Sequence, residues 1–139
     1  MSEEQAQQLL YQMQMMEGYL SELTQKEGTI MSIIREASSA IQSLKTIDTK
    51  IDNETLVPVG LGTFIITKTV PNEKLILNIG AGVAIEKDKD SAINFLELRL
   101  KEMQVALQET SNQKQQISAN LEHGKQQMEQ MLAASRSKK

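Results

Sequence analysis

Few residues in this chain could carry chemistry. His123 is the one histidine among 139 residues, and there is no cysteine. A transition-metal site draws its three or four ligands mainly from thiolates and imidazoles, so none is expected, and no disulfide framework is possible. His123 lies on a helical stretch beside Gly124 and reads as a solvated surface residue. One histidine on an extended helix supplies no Ser-His-Asp set. The carboxylates are spread along helical stretches as Glu-Lys partners rather than gathered in a pocket. Gly60/Gly62 and Gly80/Gly82 form two pairs, yet no G-x-x-x-x-G-K precedes a Ser or Thr, and Gly80-Ala81-Gly82 does not open a helix. These glycines read as turns that need positive φ. The expectation is a protein that is not an enzyme and takes no cofactor or metal.

Composition narrows the alternatives. Aromatic residues are 3% and tryptophan is absent, whereas 40% of residues are apolar and the net charge is −3. That is too apolar for a disordered chain and too poor in large side chains for a broad core. The two facts agree if the apolar residues sit in narrow seams between helices. No basic patch suggests a nucleic-acid partner. The longest apolar run, residues 75–85, falls short of the ~20 residues that span a bilayer. The start, MSEEQAQQ, is acidic and polar, unlike a secretory signal. A soluble cytoplasmic protein without membrane or nucleic-acid partners is expected.

Two helical arms flank a strand-rich middle, giving one domain: a helix over 1–53, a β body over 55–87 and a helix over 88–135. Ser2 and Gln5 fit a capping box for the first arm. Its apolar residues step by four and three: Leu9, Met13, Met16, Leu20, Leu23, Ile30, Ile34, Ala37, Ile41, Leu44 and Ile51, broken at Glu27 and Asp48. This is a coiled-coil period, and a helix from Glu3 to Ile51 would be roughly 70 Å long. Asn53 is a candidate stop. Asp88 or Asp90 can cap the second arm. Its seam runs Ile93, Leu96, Leu100, Met103, Leu107, Thr110, Lys114, Ile117, Leu121, Gly124, Met128 and Met131.

A body that turns the chain round makes the arms antiparallel. Lys114 then falls near Glu27, with Thr110 one layer away, as a polar layer that fixes register. The same geometry gathers Met1, Met13, Met15, Met16, Met128 and Met131 at one end beside Leu132. Leu10, Tyr11, Met15 and Tyr19 lie off the seam. They are either an extra packing contact or an exposed adhesive tip, where pliable methionine suits varied partners. Nearer the body, Ile33, Ala40 and Ile47 widen the stripe.

In the middle, residues 63–70 and 74–79 read as one hairpin turned by Pro71-Asn72-Glu73. Leu56-Val57-Pro58-Val59 and Val83-Ala84-Ile85 are two further strands, the first placed at an edge or interrupted by Pro58. Phe64 and Ile66 share one face; Leu75, Leu77 and Ile79 share one face of the partner strand; Ile65 and Ile76 lie opposite. One face could pack on the helix ends near Phe95 and Leu98. The other face, or an open edge, needs a second subunit.

Leu56-Val57-Pro58-Val59-Gly60 with Gly62 and Phe64, and Ile79-Gly80-Ala81-Gly82-Val83-Ala84-Ile85-Glu86-Lys87, resemble the archaeal type of prefoldin alpha subunit. The resemblance extends over essentially the whole chain, with the arms adding generic coiled coil. It implies an α+β fold: a long antiparallel coiled-coil hairpin whose two central β-hairpins form an intersubunit β-barrel platform. It implies two alpha and four beta subunits in a hetero-hexamer. It also implies an ATP-independent holdase that takes unfolded polypeptides at its coiled-coil tips and passes them to a group II chaperonin. Carried onto this chain, the tip residues are Leu9, Leu10, Met13, Met15, Met16, Tyr19, Leu20, Met128, Met131 and Leu132. The assembly residues are Leu56, Val57, Val59, Phe64, Ile65, Ile76, Leu77, Ile79, Val83 and Ile85. Two other readings stay open: a structural coiled-coil adaptor for one folded partner, and a filament-forming variant of the same family.

Overall fold

The computed structural model describes residues 3–47, 53–69 and 74–137. Six elements follow one another: α1 (Glu3–Thr46), β1 (Asn53–Gly60), β2 (Thr63–Thr69), β3 (Leu75–Gly80), β4 (Val83–Lys87) and α2 (Lys89–Ser137). The fold class is α+β, with two long helices and two small antiparallel hairpins. The chain divides into two compact units, Met1–Ile33 with Met103–Lys139, and Ile34–Glu102.

In the first unit the helices pair antiparallel. The Met13 side chain meets the backbone of Gly124, and Lys114 Nζ lies 3.2 Å from Glu27 Oε1. Burial follows the predicted seam. Met13, Leu23 and Ile30 are buried on α1, and Thr110, Leu121 and Gly124 on α2. Leu9, Met16, Leu20, Met128 and Met131 are half-buried beside them. A seam of two residues per heptad on each helix is all that a pair of helices can close. Gly124 shows how tight it is, because a Cβ there would stand 3.1 Å from Met13 Cγ. Met13 and Leu9 fill the space that this glycine leaves open.

The polar interruption of the seam is one layer of interacting groups. Glu27 and Lys114 retain about a quarter of their side-chain exposure, 24% and 30%. Thr110, at 1% the most buried polar residue among those described, satisfies its hydroxyl by donating to the Ala106 carbonyl at 2.8 Å. Such a layer gives up some burial free energy. In return, a slip of register would leave a charge against leucine.

In the second unit the helices again run antiparallel. Lys45 pairs with Glu97 at 3.4 Å at an exposed site, and Lys89 Nζ donates to the Ile47 carbonyl at 2.6 Å. The latter contact places a cation on a carbonyl just beyond the end of α1, which suits the negative end of the helix dipole. Ala37, Ile41 and Ala92 are buried here. The helix α1 closes at Thr46, and Asn53 opens β1 instead of ending the helix. The capping pair Ser2/Gln5 and the seam positions Asp48 and Ile51 involve residues outside those described.

Of the two possible caps for α2, Asp88 serves. Its Oδ1 accepts from the Ser91 N–H at 2.8 Å, and its carbonyl accepts the Ala92 N–H at 2.9 Å. The hydrogen bonds from Ser91 hold the carboxyl below its ordinary pKa of 3.8.

The strands pair differently from the expected hairpin. Among the described residues β2 and β3 do not pair with each other. Each sheet has two strands, β1 with β2 and β3 with β4. The turn expected at Pro71-Asn72-Glu73 lies outside the described residues, whereas the glycine pairs make the hairpin turns. Leu61 and Gly62 have φ of 46° and 71°, and Ala81 and Gly82 have 53° and 76°. Two successive positive φ values define the type I′ turn, whose twist matches the flanking strands. Each hairpin also carries a bulge next to its turn, between Pro58 and Gly60 and between Asn78 and Gly80. Pro58, which has no N–H to give, therefore sits beside an interrupted ladder as expected. In the second hairpin the Asn78 side chain accepts the Gly80 N–H at 2.9 Å.

Two outcomes follow from these contacts. Replacing Glu27 and Lys114 together by leucine raises the melting temperature of the assembled protein, by roughly 1 kcal/mol of stability, whereas Glu27→Leu alone lowers it by leaving Lys114 unpaired. Thermal unfolding of the single and double variants checks this. The cap predicts a pH signature with a definite sign. The folded pKa of Asp88 is depressed, so its contribution is complete above the ordinary value of 3.8 and fades as pH falls through the lower folded value. The stability gap between the parent and Asp88→Ala is then constant from neutral pH to about pH 5 and closes below pH 4. Denaturant titrations across that range measure it.

Candidate functional site

Two sets of apolar residues stay uncovered, one in each unit. In the first unit α1 exposes Leu10 at 49%, Tyr11 at 64%, Met15 at 60% and Tyr19 at 43%, and α2 exposes Leu132 at 53%; Met31 and Val105 are exposed too, at other levels of the pair. These residues fall outside the four-three stepping, so the partner helix does not reach them. Of the ten predicted tip residues, Met13 is buried in the seam, and Leu9, Met16, Leu20, Met128 and Met131 are half-buried along it. Those six hold the helices together and contribute surface only at their rims. The free surface belongs to Leu10, Met15, Tyr19 and Leu132.

Tyr11 is absent from the predicted set yet is the most exposed of the large apolar side chains of α1. It lines two neighbouring grooves on the outer side of the helix, one with Gln14, Met15, Gly18, Tyr19 and Glu22, the other with Glu4, Gln7, Gln8 and Gln12. The signal was available in the sequence: an aromatic residue directly opposite the seam has no packing reason to be there. Gly18 sits among these side chains with nothing within 4 Å of where its Cβ would lie, which leaves a notch.

In the second unit the hairpins expose apolar side chains on both faces. The register sets Leu56 opposite Ile66 and Pro58 opposite Phe64 on one face of the first hairpin, and Val57 opposite Ile65 on the other. Phe64, Ile65, Ile66, Leu56 and Val57 are all more than 40% exposed. In the second hairpin Leu77 faces Ile85 and is buried, with Ile85 half-buried, whereas Ile76 on the opposite face is 76% exposed. Val59, Ile79 and Val83, next to the turns, are exposed as well, and Leu61 at a turn tip is fully so. Phe95 is half-buried and Leu98 is 60% exposed, so Leu98 does not receive the packing that sequence reasoning gave it. Isolated two-stranded sheets are marginal in water, and every strand of such a sheet is an edge strand.

The chemistry available at either place is adhesion. Among the described residues no group of three or more metal-ligating side chains gathers, and no helix is long and apolar enough to cross a membrane. His123 makes a 3.3 Å contact with Gln127 one turn on, at an exposed position of α2.

Comparison with known proteins agrees with this architecture. The family model described as Prefoldin subunit matches residues 16–134. A prefoldin subunit alpha from Nitrosopumilus maritimus (strain SCM1) is 51% identical over 134 residues, covering 96% of this chain and 92% of that one. One from Methanospirillum hungatei is 25% identical over 127 residues, covering 86% and 85%. Among solved structures, filamentous PFD from Methanocaldococcus jannaschii superposes with a TM-score of 0.66 at 18% identity, over 79% of this chain and 92% of that one. The prefoldin beta subunit from Thermococcus strain KS-1 gives 0.65 at 16%, over 92% of both chains. Two long helices, two I′-turned hairpins and the match along most of the sequence have one meaning: the chain belongs to the prefoldin family, as a subunit of the alpha type.

Proposed function

We propose that this subunit works as part of an ATP-independent holdase. It binds non-native proteins in the cytoplasm at the open end of its paired helices and delivers them to a group II chaperonin. Membership of a chaperone-type family supports this reading. The observation that carries it is the exposed cluster Leu10, Tyr11, Met15 and Tyr19, which the partner helix leaves uncovered. Large side chains in water on the outside of a helix are a liability unless something binds there. Methionine and tyrosine suit a surface that must accept many shapes, the first through flexibility and the second through its amphipathic ring.

Assembly follows the same logic. The hairpin faces around Leu56, Val57, Phe64, Ile65 and Ile76 are covered by strands of other prefoldin subunits, in a β-barrel platform of two alpha and four beta chains. Several weak tips on one platform then share one unfolded chain, and effective concentration replaces a deep pocket. No nucleotide enters this scheme.

The test is dilution of a denatured client into the assembled complex without nucleotide, followed by light scattering. The parent complex suppresses aggregation. A full-length chain carrying Leu10→Ser, Met15→Ser and Tyr19→Ser assembles to the same mass, since these side chains lie outside the seam, and loses several-fold in suppression. No suppression by the parent complex would favour an adaptor for a folded partner. Full suppression by the triple variant would move the client site elsewhere.

A further inference from the structure

The outer face of α1 carries a pattern that adhesion alone does not explain. At about 100° per residue, Glu4, Tyr11, Met15 and Glu22 fall within about 20° of one line along the helix. Met13 in the seam lies about 180° away. The line is apolar in the middle and acidic at both ends. Tyr11, Met15 and Tyr19 flank the Gly18 notch, and the two grooves that share Tyr11 end on Glu4 and on Glu22. Neither carboxylate has an ion-pair partner among the described residues. No lysine or arginine occurs before Lys26, whereas Glu3, Glu4, Glu17 and Glu22 do. A first-turn glutamate answers the helix dipole, which accounts for Glu4. It does not account for Glu22, five turns further on, at the far end of the same apolar strip.

We infer that this face selects client segments in which a short apolar run is flanked on both sides by lysine or arginine. The inference rests on the tip reading above and names the class of segment bound there. Glu4 and Glu22 are 18 positions apart, so roughly 27 Å of helix separates them. An extended peptide at about 3.3 Å per residue covers that distance with about eight residues. Aggregation-prone windows of about five to seven residues bounded by charged gatekeepers are a common feature of protein sequences. Such a window lays its apolar side chains over Tyr11, Met15 and Tyr19 and brings its end charges to the two carboxylates. The tyrosine rings add cation–π attraction for an arginine or lysine near them. A window with acidic gatekeepers meets like charge at both ends and is disfavoured.

Three labelled peptides test this against the assembled complex by fluorescence anisotropy, one six-residue apolar core flanked at each end by two lysines, two serines or two glutamates. The lysine-flanked peptide binds on the order of fivefold tighter than the serine-flanked one, as two exposed ion pairs allow. The glutamate-flanked peptide binds more weakly than both, and the spread collapses near 1 M salt. With Glu4→Gln and Glu22→Gln in the full-length chain, the lysine-flanked peptide falls to the affinity of the serine-flanked one. Equal binding of all three peptides by the parent overturns the selectivity and leaves the apolar tip site standing. A lysine preference that survives the double substitution overturns the assignment to this face. No binding of any peptide overturns the tip site and this inference together.

Discussion

The structure depends on a seam that is one stripe wide. Two helices in contact can bury only the residues that point at each other, at three- and four-residue steps. In this chain that stripe holds most of what is buried: Met13, Leu23 and Ile30 against Thr110, Leu121 and Gly124 in one unit, Ala37 and Ile41 in the other, where Ala92, next to the seam residue Ile93, is buried as well. Many of the large apolar side chains off the stripe are left to water or to another molecule. The scarcity of aromatic residues is part of the same constraint. A seam this narrow has no place for a large ring, and among the described residues both tyrosines and Phe64 are exposed.

The seam also limits how far hydrophobic pattern alone can set register, because a coiled coil of similar side chains can slide by a heptad. Glu27 with Lys114, and Thr110 beside them, remove that freedom in the first unit. Close packing of Met13 on Gly124 adds a steric lock, since few other positions would accept the thioether so near the backbone. In the second unit the corresponding restraints lie near the helix ends, where Lys89 meets the Ile47 carbonyl and Lys45 pairs with Glu97. Polar contacts here add little stability, but they choose one alignment from several.

The hairpins are local answers to a local problem. Gly62 and Gly82 take the left-handed second position of their turns, and a preceding Leu61 or Ala81 is held there too. A left-handed L-residue costs about 1–2 kcal/mol, and the bulge and tight turn hold it in place. The two hairpins solve the turn in the same way with different side chains, and both place exposed apolar residues beside it. Strands built like this are incomplete in isolation. That incompleteness is what the proposed assembly with other prefoldin subunits would relieve, just as a bound client would cover the exposed end of the first unit.

Much of this was legible in the sequence, because periodicity is written residue by residue. The four-three stepping gave both seams, the Glu27–Lys114 layer followed from near-equal arm lengths, and the glycine pairs announced turns. The strand pairing was not legible. Residues 63–70 and 74–79 look like a hairpin by length and composition, and only the backbone shows that the first strand pairs back across Gly60 and Gly62 and the second pairs forward across Gly80 and Gly82. Asn53 was equally ambiguous, since asparagine ends helices and borders strands alike. Among the tip residues, sequence showed which were apolar and off the seam. Burial then decided the alternative left open at the off-seam residues: Met13 packs in the seam, whereas Met15 two residues later gains no extra packing contact within the chain and stays exposed. The reason is geometric: a helix turns about 200° between those two positions, so neighbours in the chain belong to opposite sides of the fold.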